Sequence, residues 1–307
     1  MAAIVPMMEL EHNMIMQEDD APTVPIATDL DFDVVFPNAS ALRTLVEIMT
    51  NVLVECIFRI DASSADSVLL RVDAMDSANI CACKAKIKSS GRVYKEEQHE
   101  NTFFCIKLKP FLEVLKALPI SEGVRLFRHK GQTMLNLVSL GVEAHKYELN
   151  TLVTPYHLLQ LDPCRTNFSI DFDLAKLKSH LRVISNLKAD TIKITISEIT
   201  AATSPLLGGL VLTLSCTGED VKARWDFVQH DGAHATFPEK EIDTLDRVEK
   251  YCEEFSSEFL KNFTKSMERN SVTLSFTSDE PRVLLLEYAL GLEASNITFL
   301  LAPKCSL

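Results

Sequence analysis

From Asp31 onward the hydrophobic residues recur with two alternating periods, two residues and about 3.6 residues, the periods of strands and helices. DFDVVFP predicts a strand. Asn38 then stands as a cap before Ala39–Val52, where Leu42, Leu45, Ile48, Met49 and Val52 share one helical face. Strand patterns follow at 53–61, 67–74, 79–87 and 102–108, and a short helix from Lys109 to Leu118 is stopped by Pro119. GVRLFRH, TMLNLVSL and VEAHKYELNTLV predict three more strands. Residues 154–165, TPYHLLQLDPCR, carry two prolines and read as a connector. Beyond it the order begins again: strand NFSIDFD, helix 174–188, then strands DTIKITISE, LGGLVLTLSCT and VKARWDFV. A loop from His230 to Asp246 precedes strand-like VEKYCEEF, helix Ser257–Met267, and strands SVTLSFT, RVLLLEYAL and NITFLLAP. Residues 1–29 show no period, carry Glu18, Asp19 and Asp20 with prolines at 6, 22 and 25, and are expected as a mobile tail.

The two halves repeat each other. Phe32–Ile60 lies over Phe168–Ile196 without a gap, matching Phe36 with Phe172, Leu45 with Leu181 and Ile48 with Ile184. Phe111–Leu140 lies over Phe259–Tyr288 in the same way, matching Leu112 with Leu260, Val124 with Val272, Leu126 with Leu274 and Leu137 with Leu285. The expected fold is α+β: two duplicated domains, 30–153 and 166–307, each with antiparallel sheet and two helices packed on one face.

Charge changes this picture. The chain has 307 residues and a net charge of −12, which ordinarily argues against a nucleic-acid partner. Its distribution is uneven. Helix 174–188 sets Leu174, Leu177, Leu181, Ile184 and Leu187 on one stripe and Lys176, Lys178, His180, Arg182 and Lys188 elsewhere, with no acid. The other helices and their preceding turns carry Arg43 with Glu47; Lys107, Lys109 and Lys116 with Glu113; and Lys261, Lys265 and Arg269 with Glu258 and Glu268. Together the four helices hold a net +7, leaving −19 for the rest of a chain that totals −12. A basic face alone is commonly a solvated helix. Four such faces gathered on one side are the electrostatic footprint of a polyanion site, with an acidic exterior expected around it. Aromatic residues are nearly absent from these faces, so contact with duplex phosphates fits better than base stacking.

Other chemistries find little support. At 47% hydrophobic and 24% charged the composition is that of a globular protein, and no run of about 18 apolar residues predicts a membrane span. The start of the chain lacks a basic segment followed by an apolar one, and the eight cysteines form no CxxC pair or regular framework, so a reduced intracellular protein is expected. Cys81 and Cys83 share a strand face, but no second pair stands at zinc spacing, and core thiols are the better reading. His230 and His234 lack a helical HExxH setting, Asp73 and Asp76 form at most an acidic pair, and the glycine-rich nucleotide loops are absent. No nucleophile, base and orienting group are recognisable together. No catalytic residue, metal or cofactor is expected.

The segment FLKNFTKS…SVTLSFTSDEPRVLLLEYAL…ITFLLAPK (259–304) resembles the C-terminal end of the proliferating cell nuclear antigen (PCNA) family, the eukaryotic sliding clamps. LLRVDAMDSANICACKAKI (69–87) resembles that family's MDSSHV region at its usual distance from the N-terminus, which implies that Asp73 and Asp76 stand at a strand turn. The resemblance implies three subunits closing head to tail into a ring, sheets outside and helices lining the hole. It implies a processivity factor that encircles duplex DNA without reading its sequence, and that tethers DNA polymerase and other replication and repair proteins. A clamp loader, a nuclear or cytoplasmic viral location, and a homotrimer are further implications. Edge strands 142–150 and 221–228, with Tyr147 and Trp225, would pair between subunits. The family's partner groove, carried over by position, has Met75, Asn79 and Ile80 on one wall. Pro281, Phe299, Leu300, Leu301, Ala302 and Pro303 stand opposite, and Leu159, Leu161 and Pro163 come from the connector. By their own pattern these apolar positions could equally be core.

The N-terminal tail, the Thr200–Leu207 insert, the loop 230–246 and the end at Lys304-Cys-Ser-Leu depart from the family. A viral or divergent clamp and a checkpoint-type clamp subunit both accommodate them. A monomeric polymerase accessory protein using the same basic face is the rival of another class.

Overall fold

A computed structural model describes residues 29–64, 67–94, 102–153, 159, 161, 164–200, 208–230, 233–235, 246–267, 271–277, 282–291 and 295–304. The expected tail, most of the connector, nearly all of the 200–207 insert and most of the loop 230–246 lie outside the described residues. The first half contains β1 (Leu30–Phe36), α1 (Ser40–Met49), β2 (Glu55–Ser64), β3 (Ser67–Met75) and β4 (Cys81–Val93). It continues with β5 (Thr102–Lys107), α2 (Leu108–Ala117), β6 (Val124–His129), β7 (Met134–Ser139) and β8 (Lys146–Asn150). The second half contains β9 (Phe168–Asp173), α3 (Leu174–Asn186), β10 (Thr191–Ile199), β11 (Leu210–Thr217), β12 (Lys222–His230) and β13 (Ala233–Ala235). It closes with β14 (Arg247–Ser256), α4 (Ser257–Lys265), β15 (Ser271–Phe276), β16 (Leu284–Ala289) and β17 (Asn296–Leu301). All the strand pairings among the described residues are antiparallel, so the α+β class holds.

Pairing as well as order is duplicated. In the first half β8–β7–β6–β1 form one run and β5–β2–β3–β4 another; β17–β16–β15–β9 and β14–β10–β11–β12 repeat them. The shift that sets Phe32 on Phe168 also sets Glu55, the first residue of β2, on Thr191, the first of β10. The second ungapped match slips by one residue near its end. Leu126 pairs with Leu137 and Leu274 with Leu286, so Leu137 corresponds to Leu286 and not to Leu285. In a strand one residue decides the face: Leu137 and Leu286 are buried, while Leu285 is only partly so.

The apolar stripes explain the layers. Leu42, Leu45, Ile48 and Met49 of α1, and Leu174, Leu177, Leu181 and Ile184 of α3, are buried in one continuous core with the inner faces of the strands. Phe58 stacks on Phe104 at 5.1 Å, and Phe263 on Phe299 at 4.3 Å. Asp173 caps α3 by accepting from the Lys176 amide at 2.8 Å. α1 is shorter than its periodicity predicts because Thr50 Oγ1 and Asn51 Nδ2 both donate to the Glu47 carbonyl, turning the chain out of the helix. α1 packs against α2 and α4, and α3 against α4, so the four helices make one layer. Asn51 Nδ2 donates to Ser266 Oγ at 3.1 Å, fastening the first half to the second.

β4 runs past the predicted end at residue 87 and joins two runs. Its first part pairs with β17, Cys83 opposite Phe299, and its last part with β1, Val35 opposite Ser90. The second crossing needs Gly91: its φ is +150°, and a Cβ there would lie 2.3 Å from the Asp33 carbonyl oxygen.

Candidate nucleic-acid interface and partner groove

The helix layer collects the expected basic residues unevenly. Lys176, Arg182, Lys188, Lys107, Lys109, Lys116, Lys261 and Lys265 are exposed, and Arg43 is half-buried. Several are held by neighbouring helices. Lys116 Nζ lies 3.2 Å from Glu47 Oε1, bridging α2 to α1, and Lys261 Nζ donates to Ser185 Oγ at 3.1 Å, bridging α4 to α3. Lys178 Nζ donates to the Met267 carbonyl at 2.5 Å, so part of its role is to join α3 to the end of α4. Arg269 lies outside the described residues. His180 departs from the basic face. Its ring lies 4.8 Å from that of Trp225 and 5.3 Å from that of Phe227, both on β12. Burial, and then the charge of Lys176, hold its imidazole below the usual histidine range.

The two expected edges are present. β8 ends the twelve-stranded sheet, and among the described residues β12 is covered on its outer side only at its C-terminal end, where β13 pairs with Val228–His230. Tyr147 and Trp225 are half-buried, each packed against the core. Val221, just before β12, is 50% exposed.

The groove residues divide by strand alternation. Phe299 and Leu301 are fully buried and cannot line a surface groove, which corrects the expectation for both: successive residues of β17 face opposite sides, and these two face the core. Leu300, Ala302 and Pro303 are half-buried. The Ala302 amide donates to the Ile80 carbonyl at 3.0 Å, bringing them beside Met75 and Ile80, which are 39% and 42% exposed. Asp76 builds this corner. Its carboxylate accepts from the amides of Ala78, Ile80 and Cys81, and Asn79 takes a φ of +57°. Asp76 is therefore a turn former, as its position implied. Leu159 joins Met75 and Asn79 in lining a cavity of about 360 Å³, and the Leu161 carbonyl accepts from Lys84 Nζ. Pro163 and Pro281 lie outside the described residues.

A second basic cluster, on the outer face of the sheet, was not anticipated. Arg59, Arg71 and Lys86 stand directly opposite one another across β2, β3 and β4. With Lys84 they line a cavity of about 490 Å³, which also includes Asp73 and Leu161. The exterior is therefore not uniformly acidic. Its signal in the sequence was the alternation KAKIK at 84–88, which puts three lysines on one side of a strand. Cys81 and Cys83, by contrast, are buried, and burial raises both thiols well above their usual range. Among the described residues no group of three or more His, Cys, Asp or Glu could hold a metal ion. Nor is any described helix long and apolar enough to cross a membrane.

No family model matches the chain, and no curated protein does. Solved structures do. PCNA from Entamoeba histolytica is 18% identical, with 90% of this chain and all of that one aligned at a TM-score of 0.68. PCNA from Thermococcus kodakaraensis is 19% identical over 89% of this chain and all of its own, at 0.66. The PCNA2–PCNA3 complex from Sulfolobus tokodaii contributes a chain 15% identical, covering 89% of this chain and 99% of its own, at 0.63. Likeness at such low identity speaks for architecture, and over about nine-tenths of its length this chain has the fold of the PCNA clamps.

Proposed function

We propose that the protein is a DNA sliding clamp: three copies close head to tail into a ring around duplex DNA and tether a polymerase and other groove-binding proteins. It acts as a tether and not as a catalyst. One observation carries this reading. Inside the chain, β4 of the first half pairs with β17 of the second, Cys83 opposite Phe299 and Ala82 opposite Leu300. The duplicated registers give each of these residues a counterpart. Leu137 pairs with Tyr147 as Leu286 pairs with Phe299, so Tyr147 corresponds to Phe299. Phe58 leads through Val72 to Ala85 as Ile194 leads through Leu214 to Trp225, so β12 corresponds to β4, with Ala223 in the place of Cys83.

The chain thus makes one such seam internally and leaves the two halves of a second on its open edges. A neighbouring copy completes it, with Ala223 opposite Tyr147 and Lys222 opposite Glu148. Such a head-to-tail contact is heterologous, and a ring is its closed form. Closure sets the helix layers of successive copies side by side, bringing Lys176, Arg182 and Lys188 toward one channel. Weak, sequence-blind attraction to phosphates suffices there, because topology and not affinity retains the DNA.

Light scattering on the purified protein, with and without circular DNA, tests the reading. The expected result is a mass of three chains, and retention on closed circles that is lost when the circle is linearised. A single-chain mass at micromolar concentration would instead favour a monomeric accessory protein.

A further inference from the structure

The row Arg59–Arg71–Lys86 runs across three neighbouring strands on the outer face, away from the helix layer. Like charges directly opposite one another in a sheet disfavour folding, so this arrangement calls for a counter-charge. The described neighbours supply it incompletely. Asp61 is shared by two arginines: Arg71 Nε at 2.8 Å from Oδ2, and Arg59 Nε at 3.2 Å from Oδ1. The second approach is close but misaligned, so the buried Arg59 Nε makes no hydrogen bond. Among the described residues Asp73 is the one carboxylate lining the larger cavity, against Arg59, Arg71, Lys84 and Lys86. The smaller cavity shares Arg59, Arg71 and Asp73 and is also lined by Glu55 and by Met75, Asn79 and Leu159 of the candidate groove.

Resting on the groove reading above, we infer that this outer strip receives acidic residues flanking the apolar anchor of a partner peptide. Continuity sets the spacing. Arg71 lies four residues from Met75 along β3, about 13 Å at the rise of a strand. An Asp or Glu about four residues from the anchor of an extended peptide therefore reaches the row. Arginine suits the task, since its planar fork takes a carboxylate in two parallel hydrogen bonds. Cavities of about 360 and 490 Å³ beneath Leu159 and Leu161 hold a few side chains and not a duplex, which assigns the strip to peptide and the helix face to DNA.

The test is fluorescence anisotropy on the full chain with labelled peptides sharing one apolar, aromatic anchor. Their flanks, four residues out at either end, are acidic, amide or basic. The acidic flank is expected to bind roughly tenfold more tightly than the amide flank at low salt, with the advantage shrinking as salt rises. Arg71→Glu with Lys86→Glu is expected to reverse the order of acidic and basic flanks and to leave amide-flank binding unchanged. Lys86→Glu alone, on an exposed position of β4, serves if the pair does not fold, and should at least halve the acidic advantage. Equal binding of all three flanks, or a preference indifferent to both variants, overturns the inference and leaves the groove standing. Binding of no anchor peptide at all overturns the groove as well. Loss of duplex binding in the variants would give the strip to nucleic acid. An acidic preference that shows only after deletion of residues 1–28 would give it to the chain's own acidic segment. Either result overturns the assignment to a partner.

Discussion

The internal seam between β4 and β17 and the open edges of β8 and β12 are built on one plan and finished differently. In the seam, the inward residues Cys83, Ala85, Ile297 and Phe299 are all buried, and on the outer side Ala82 faces Leu300. On the edges the corresponding inward residues are Ala223, Trp225 and Tyr147, and the outward ones are Lys222 and Glu148. An apolar outer pair has become a pair of opposite charges, and a small inward alanine has become tryptophan. The first arrangement must form for the chain to fold. The second can stay open in water and still specify its partner, since charge on an edge strand blocks pairing in any register but the intended one.

The sharpest way to separate them is to cut the same ring from each. Phe299→Ala removes a side chain stacked on Phe263, and is expected to destabilise the fold by about 3–5 kcal/mol, lowering Tm by roughly 10 °C. Tyr147→Ala, at the corresponding position, is expected to leave the Tm of the isolated chain within about 2 °C and to weaken each subunit contact by about 2 kcal/mol. Light scattering at micromolar concentration should then find single chains. If Tyr147→Ala unfolds the protein as Phe299→Ala does, the edge is core and the proposed division fails.

A smaller effect tests register. Lys222→Glu sets two acids opposite each other in the proposed pairing and should weaken assembly a few-fold, the size of an exposed ion pair. Glu148→Lys should do the same, and the two together should restore it. Arg224 falls opposite Lys146 in this register, with Glu148 and Asp226 as diagonal counter-charges. Glu148 already lies 2.7 Å from Lys146, so the pair must be remade on assembly. Additive losses in the double variant would mean that the register is wrong even if the ring is right.

What the sequence disclosed follows from period and repetition. The ungapped overlay of Phe32–Ile60 on Phe168–Ile196 carried β1, α1 and β2 onto β9, α3 and β10, because Phe36 stands as far from Glu55 as Phe172 from Thr191, although α1 has ten residues and α3 thirteen. It failed at Leu285, because the paired residues Leu274 and Leu286 stand twelve apart in sequence where Leu126 and Leu137 stand eleven apart, and apolar composition could not register the slip. The helix cations were found as a set because helical spacing groups them. The row Arg59–Arg71–Lys86 was missed because its members come from three strands, and only the pairing register brings them together. Phe299 and Leu301 were assigned to the groove by position, although the alternation of β17 already turned them inward. Most of the connector and much of the loop 230–246 lie outside the described residues.

The least effect, and the most local, concerns His180. It belongs to the most basic helix yet lies against Trp225 and Phe227 of the open edge, with Lys176 nearby on its own helix and Arg224 and Asp226 flanking Trp225 on the opposite face of β12. Its pKa in the folded chain is held below the ordinary histidine value of about 6.5. As pH falls, the unfolded chain therefore takes up this proton first, and stability declines from about pH 6.5 downward while remaining whole above it. The decline should be small, since a single half-buried group contributes it. Trp225 is the only tryptophan in the chain, so its fluorescence reports this one site, and the His180→Gln variant isolates the contribution of the imidazole. Protonated imidazole quenches indole, and emission should fall through a midpoint below 6.5. His180→Gln should abolish that titration and leave emission flat over the same range. A midpoint at or above 6.5 would mean that burial and Lys176 do not govern this imidazole, and that the edge beside it is arranged otherwise than its packing implies.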